Sequence, residues 1–303
     1  MQSSAGFEQI VGPPGHHRGM RDVFVGSAAL AGGGITRARL RWHYRTIFPN
    51  VYLPKQVVPS LEQRTRGAWL WSGRNGVITG CAAAAMHGAL WVDADTPIEM
   101  IWRCGRPPRG IAVRNERVDQ TDIIDIGGMP VTTPQRTAFD IARHLPRDLA
   151  VARLDALARA TGITASQVIL LADRYPRARG LPRARIALPL MDSGSQSPQE
   201  TRLRLVLIDD RLPPPRTQIM VTDGKSQAFI DMGYDEPQVG FDYEGSHHSQ
   251  VRGQYVHDIG RAELIDREGW IDIRVVAEHS RRFILHRAHI AFARRGWRPP
   301  KLQ

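Results

Sequence analysis

A short segment rich in serine and glycine, Ser193–Gln196, separates two parts of the chain that differ in charge. Residues 1–195 carry 25 basic and 15 acidic side chains, whereas residues 196–303 carry 16 and 15. Because domains of soluble proteins usually hold about 100–200 residues, a chain of 303 residues is long enough for two or three of them. We therefore expect a basic N-terminal part and a separate C-terminal domain of nearly balanced charge.

The overall composition, with 42% hydrophobic and 23% charged residues, is typical of a globular protein. The chain has no apolar run of about 18 residues that would span a membrane, and its first residues lack the pattern of a signal peptide. Two cysteines, Cys81 and Cys104, are too few for a disulfide framework, so we expect a cytoplasmic protein. The net charge of +11 favours a polyanionic partner rather than a membrane. Residues 1–19 are expected to be an unstructured leader, and Met20 the true start of translation.

The segment 20–60 shows the outline of a winged helix. Thr36 is a plausible N-cap for a basic helix over residues 37–42, and residues 44–53 form two strand patterns around a Pro-Asn turn. Four arginines of this segment are suited to phosphate contacts: Arg37, Arg39, Arg41 and Arg45. A solvated basic face is the alternative interpretation.

Residues 61–192 alternate between helical and strand patterns, which predicts an α/β domain. Helical patterns cover residues 61–71 and 79–90, strand patterns follow at 98–103 and 111–115, and Pro134 opens a run of further helices. Three segments of the chain are similar to AbiEi-type antitoxin and regulator proteins: Val25 to Tyr52, Ile78 to Gly88 and Val131 to Thr137. That resemblance implies a winged helix that contacts DNA, an α/β domain, and a toxin or antitoxin partner.

Acidic residues concentrate in the C-terminal part, where Asp231 to Glu244 contains five carboxylates and no basic residue. Asp231 lies on one predicted strand, and Asp242 and Glu244 share a face of the next. Like charges on adjacent strands repel, and a hard divalent cation such as Mg²⁺ or Mn²⁺ removes this cost. The pattern therefore predicts a metal site with Asp231 and Asp242 as ligands.

Two further residues are candidates for catalysis beside these carboxylates. Glu200 stands at the third position of a helix that Ser197 caps, where it could also simply complete a capping box. His248 follows Glu244 by four residues and could accept a proton near neutral pH, although a loop histidine without a role is equally compatible with the sequence.

Residues 197–297 resemble the very-short-patch-repair-like branch of the PD-(D/E)XK endonuclease superfamily. The segments that carry the resemblance are Ser197 to Thr201 with Leu203 and Arg204, Asp231, Asp242 to Gly245 with His248, Asp258, Arg261, Gly269-Trp270 and Ile273 to Val275. The resemblance implies a restriction-endonuclease-like mixed sheet over residues 193–303, metal bound by Asp231 and Asp242, Glu200 approaching from the helix, and proton transfer by His248. The family's usual lysine is absent, and Glu244 stands in its place.

Together these patterns predict a multi-domain α/β protein that binds DNA and hydrolyses phosphodiester bonds with a bound metal ion. In that interpretation Glu200, Glu244 or His248 positions or deprotonates the attacking water. The alternative is a non-catalytic AbiEi-like transcriptional regulator or antitoxin with a degenerate nuclease fold, and a plain structural domain is a third interpretation. The sequence leaves the substrate strand type and the oligomeric state open.

Overall fold

The structure, a computed structural model, describes residues 22–245 and 252–300. The expected leader, Met20 and His248 lie outside these residues. The described part contains three β-sheets and eleven α-helices, which confirms the predicted α/β class. No helix in it is both long enough and apolar enough to cross a bilayer.

The N-terminal region is a small three-stranded sheet with two short helices. Its elements are β1 (Phe24–Val25), α1 (Gly26–Ala31), α2 (Arg37–His43), β2 (Tyr44–Phe48) and β3 (Val51–Pro54). The sheet order is β1-β3-β2, with antiparallel pairing throughout. The Thr36 hydroxyl accepts a hydrogen bond from Arg39 N at 3.2 Å, so Thr36 caps α2 as the sequence predicts. Helix, turn, basic helix and hairpin therefore follow one another in the order that the sequence predicts.

The middle region combines a five-stranded sheet with a bundle of helices. Its elements are α3 (Leu61–Trp71), β4 (Val77–Thr79), α4 (Gly80–Met86), β5 (Ile98–Ile101), β6 (Ile111–Arg114), β7 (Ile123–Ile126), β8 (Met129–Thr132), α5 (Pro134–His144), α6 (Arg147–Thr161), α7 (Ala165–Asp173) and α8 (Leu181–Ala187). The strand order is β6-β5-β4-β8-β7, in which β4–β8 and β5–β6 are parallel pairs. The helix predicted over residues 79–90 is shorter in the structure. Thr79 belongs to β4, and α4 ends at Met86.

A buried ionic network joins α5 to the rest of the middle region. Asp140 accepts hydrogen bonds from Arg136 Nε at 3.1 Å, from Arg143 Nη2 at 2.6 Å and from the Thr79 hydroxyl at 2.6 Å. Glu116 adds a second carboxylate beside Arg143, and the pKa of Glu116 is lowered to about 2 by its hydrogen bonds and ion pairs with His144 and Arg143, which outweigh burial. The network holds two guanidinium groups inside the domain without an unpaired charge.

The C-terminal region is a four-stranded mixed sheet between helices. Its elements are α9 (Pro198–Asp209), β9 (Arg216–Thr222), β10 (Gln227–Tyr234), β11 (Val239–Tyr243), α10 (Arg252–Arg267), β12 (Ile271–Val275) and α11 (Arg281–Arg294). The order is β12-β11-β10-β9, with β11 and β12 parallel and the other pairs antiparallel. One hydrophobic cluster joins α9 and α11 to β11 and β12, and a second joins α10 to β9 and β10.

Polar side chains hold the middle and C-terminal regions together where α6 meets α9. Arg204 of α9 donates to Asp155 Oδ2 at 2.8 Å, and the Thr201 hydroxyl donates to the same oxygen at 2.8 Å. Asp192 N donates to the other oxygen at 2.8 Å. Burial nevertheless raises the pKa of Asp155 to about 6, against the effect of Arg204.

Candidate functional site

The exposed face of α2 combines positive charge with an aromatic side chain. Arg37, Arg39 and Arg41 are exposed, and none of them forms an ion pair with the residues that the structure describes. Leu40 points into the core, and at 100° per residue Trp42 lies on nearly the opposite face of the helix. Around that face, Arg39 lies on one side of Trp42, and Arg37 and Arg41 lie on the other side. Trp42 is 71% exposed, which is unusual for so large an apolar side chain. The pattern alone did not single out Trp42.

Arg45, the fourth predicted phosphate contact, has a different environment. It lies on β2, is partly buried, and its Nη2 donates a hydrogen bond to the Val57 carbonyl oxygen. Its guanidinium is therefore engaged within the N-terminal region, whereas the three arginines of α2 extend into solvent.

Asp231 and Asp242, the predicted metal ligands, face each other across β10 and β11. The regular pairing of β10 with β11 ends at Met232, which lies opposite Phe241. At the next residues, carboxylate side chains replace the backbone-to-backbone hydrogen bonds between the two strands. Asp231 N donates to Asp242 Oδ1 at 2.8 Å, and Tyr243 N donates to Asp231 Oδ2 at 2.8 Å. Each carboxylate therefore binds the backbone of the opposite strand at the point where the ladder stops.

Two more acids share the electrostatic environment of this pair. Burial, together with the charges of Glu200 and Asp242, raises the pKa of Asp231 to about 7. Burial followed by the charge of Asp242 raises the pKa of Asp272, on β12, to about 6. Glu200, Asp231, Asp242 and Asp272 form what we call the acidic cluster.

Arg261 of α10 supplies positive charge to the acidic cluster. Its Nη2 donates to Asp242 Oδ2 and to the Phe229 carbonyl oxygen. The sequence placed Arg261 within the endonuclease resemblance without assigning it a role. In the structure its guanidinium is the cation that contacts Asp242.

Glu200 helps to cap the N-terminus of α9, as the capping interpretation predicts, but its carboxylate binds a different backbone group. Ser197 Oγ accepts a hydrogen bond from Glu200 N at 3.2 Å, and Glu200 Oε2 accepts one from Gln196 N at 2.8 Å. The carboxylate thus binds the residue before the cap rather than Ser197 itself. Burial raises the pKa of Glu200 in spite of that hydrogen bond.

Glu244 lies at the edge of the acidic cluster, where it is exposed and accepts from Arg274 Nη1 at 3.0 Å. Within residues 22–245 and 252–300, no three His, Cys, Asp or Glu side chains converge closely enough to hold a metal ion. Both oxygens of Asp242 accept protein hydrogen bonds, one of them from a cation. A divalent cation beside Asp242 would have to displace the Arg261 guanidinium, which provides the positive charge there.

Comparison with known proteins finds a family match for one part of the chain and two related sequences. Residues 77–190 match the family model described as the AbiEi antitoxin C-terminal domain. Two uncharacterized proteins, from two strains of Mycobacterium tuberculosis, are each 28% identical to the chain over 178 residues, which cover 58% of this chain and 65% of the relative. The chain thus spans slightly less than two thirds of the length of these relatives, and no solved structure matches it.

The matched segment extends from the start of β4 to the end of the helices that follow it, and it includes two of the three motifs behind the AbiEi resemblance. The third motif, Val25 to Tyr52, lies before it. The comparisons add no support to the resemblance of residues 197–297 to endonucleases, which stays a prediction. Residues 77–190 are therefore similar to an AbiEi antitoxin C-terminal domain.

Proposed function

We propose that this protein is a DNA-binding transcriptional regulator of the AbiEi antitoxin type. The observation that carries the proposal is the match of residues 77–190 to an antitoxin domain, which follows a basic, winged-helix-like region in the same chain. This match supports the regulator interpretation over the endonuclease interpretation. It covers most of the middle region, and an antitoxin-type regulator needs no catalytic site.

The helix α2 is suited to enter the major groove of DNA. Its three exposed arginines flank Trp42, so phosphates can be bound on both sides while the indole reaches the bases. Phosphate contacts position a protein on DNA, and contacts with base edges distinguish sequences. An antitoxin domain also implies a toxin as partner, which co-purification with proteins of the same cell would identify.

We expect the protein to protect a site in the DNA upstream of its own gene and to bind scrambled DNA more weakly. Trp42→Ala should reduce this preference about tenfold, since a lost base contact costs roughly 1–3 kcal/mol. Folding should be unaffected, because Trp42 is largely exposed. Mobility-shift titrations on both DNAs measure the preference.

Val58→Ala is the matched control for Trp42→Ala, because Val58 is an exposed apolar side chain outside α2. It should bind both DNAs like the wild-type protein. An unchanged preference in Trp42→Ala would refute base contact by α2, and a wild-type protein that binds neither DNA would refute the regulator.

A metal-dependent endonuclease is the second candidate, and the pairing of Asp231 with Asp242 across β10 and β11 favours it. In that function Asp231 and Asp242 would hold Mg²⁺ or Mn²⁺, which supplies a Lewis acid for phosphodiester hydrolysis. The contact between Arg261 and Asp242 opposes it, since the carboxylate would have to exchange a guanidinium for the metal.

We expect supercoiled and linear DNA to remain intact with Mg²⁺ or Mn²⁺ at protein concentrations that bind the DNA fully. Asp242→Asn and the exposed control Asp235→Asn should give the same result. Cleavage by the wild-type protein that is lost in Asp242→Asn and retained in Asp235→Asn would establish the endonuclease instead. Gel electrophoresis of the DNA over a time course measures the outcome.

A further inference from the structure

A small groove lies between the middle and C-terminal regions, outside the acidic cluster and far in sequence from α2. The turn after α4, one face of α6 and the residues before α9 line a volume of about 170 Å³. An apolar cavity of roughly 150 Å³ accepts benzene, so a volume of this size takes one aromatic ring system.

The walls of the groove are shaped for a flat, apolar group. Ala152, Ala156 and Ala160 recur every four residues along α6, so their methyl groups follow one another on one side of the helix. Trp91 also lines the groove, and its indole N–H donates to the Gln196 carbonyl oxygen at 3.0 Å, which fixes the ring. About half of the Trp91 surface remains exposed and free to stack.

The backbone at Trp91 is held in an unfavourable conformation. Its φ of +67° lies in the left-handed region, which bulky side chains rarely adopt. Residues held in such conformations destabilise the fold locally and cluster at ligand sites. A glycine at this position would relieve the cost but would remove the aromatic surface.

The charge of the groove favours an anion. Arg159 lines it, is exposed, and forms no ion pair with the described residues, although its charge acts on Glu200. Asp155 lies at the base, but Asp192 N, Thr201 and Arg204 already engage both of its oxygens. The groove therefore offers an aromatic surface and a guanidinium, with no carboxylate free to bind a cation.

We propose that this groove binds an unstacked nucleobase with its adjoining phosphate, the base stacking on Trp91 and the phosphate binding Arg159. Aromatic side chains bind single-stranded nucleic acid in this manner, and arginine is a common partner of phosphate. The inference rests on the proposed nucleic-acid function for the origin of its ligand. It adds a second contact, to single-stranded segments, beside the duplex contact of α2.

Fluorescence anisotropy of the full chain tests the groove with a labelled single-stranded oligonucleotide and, in parallel, with duplex DNA. Trp91→Ala should weaken single-strand binding about tenfold or more, because a base stacked on an aromatic ring contributes roughly 1–3 kcal/mol. Trp91→Phe should retain most of the affinity, since it keeps a ring. Arg159→Gln should weaken single-strand binding as well, whereas Arg177→Gln, an exposed arginine outside the groove, should not.

Duplex binding separates this inference from the regulator proposal. Trp91→Ala and Arg159→Gln should bind duplex DNA like the wild-type protein, so failure of α2 and failure of the groove give different results. Competition by free deoxyadenosine monophosphate with the single strand would show that an isolated nucleotide also fits. Single-strand affinity that is the same in the wild-type protein and in Arg159→Gln would overturn the proposal, even if Trp91→Ala failed to fold.

Discussion

Replacing Asp140 by Asn should lower the free energy of unfolding by about 3–5 kcal/mol, the usual effect of removing one partner from a buried ionic group. Asp140, Arg136 and Arg143 are each only 1% exposed. Asparagine keeps the shape and one acceptor oxygen, but it leaves two buried guanidinium groups with Glu116 as their remaining nearby carboxylate. Arg136 gains little from Glu116, which lies 3.9 Å away, and stacks over the Tyr175 ring instead.

Urea denaturation followed by circular dichroism measures this loss. Asp148→Asn is the matched control, because Asp148 is 69% exposed at its side chain and pairs with Arg147 on the surface of α6. A surface ion pair of this kind contributes about 0–1 kcal/mol. Equal effects of the two substitutions would show that the buried network does not hold the middle region together.

The second large effect is a dependence of stability on pH that originates in the acidic cluster. Burial and the charges of Glu200 and Asp242 raise the pKa of Asp231 from 3.8 to about 7. Because the folded pKa is the higher one, the folded state binds the proton more tightly than the unfolded chain. This contribution to stability is complete below about pH 4 and is lost as the pH rises to about 7.

Asp231→Asn should remove that dependence. Its amide oxygen can still accept the hydrogen bond from Tyr243 N, and it carries no charge at any pH. We expect Asp231→Asn to gain on the order of 4 kcal/mol over the wild-type protein between pH 4 and pH 8, since one unit of pKa corresponds to about 1.4 kcal/mol. Urea denaturation at several pH values measures the difference.

The control for this pH dependence is Asp235→Asn, on an exposed aspartate that pairs with Arg216. Its stability should follow the wild-type curve in parallel. A difference between Asp231→Asn and the wild-type protein that stays constant with pH would contradict the shifted pKa of Asp231.

Local signals in the sequence predicted much of the fold. Thr36 and Ser197 each cap the helix that the sequence assigned to them, because a capping side chain binds backbone groups only three residues away. The two carboxylates of β10 and β11 were brought together correctly as well, since a tight hairpin fixes which residues of its strands lie opposite each other. The strands β4, β7 and β8 were missed because three or four residues carry too little periodicity.

Residues whose roles depend on distant parts of the chain were harder to predict. Arg136, Asp140 and Arg143 have the spacing of an exposed ion-pair ladder, yet they are buried because the segment at Glu116 and the ring of Tyr175 cover them. Arg261 contacts Asp242 from another element across 19 residues of chain, so no local pattern indicates that contact. The metal site, which acidic charge, strand register and the endonuclease resemblance predict without this guanidinium, stays a prediction.

The most direct test of DNA binding through α2 is the dependence of the duplex-DNA binding constant on salt. Each phosphate contact contributes about 0.9 to the slope of log K against log salt concentration. Replacing Arg37, Arg39 and Arg41 together by Gln should reduce the slope by about 2–3. The same charge change at three exposed arginines of the C-terminal part, Arg282, Arg294 and Arg298, should leave it unchanged. Equal slopes for the wild-type protein and the α2 variant would contradict the assignment of α2 as the DNA-binding helix.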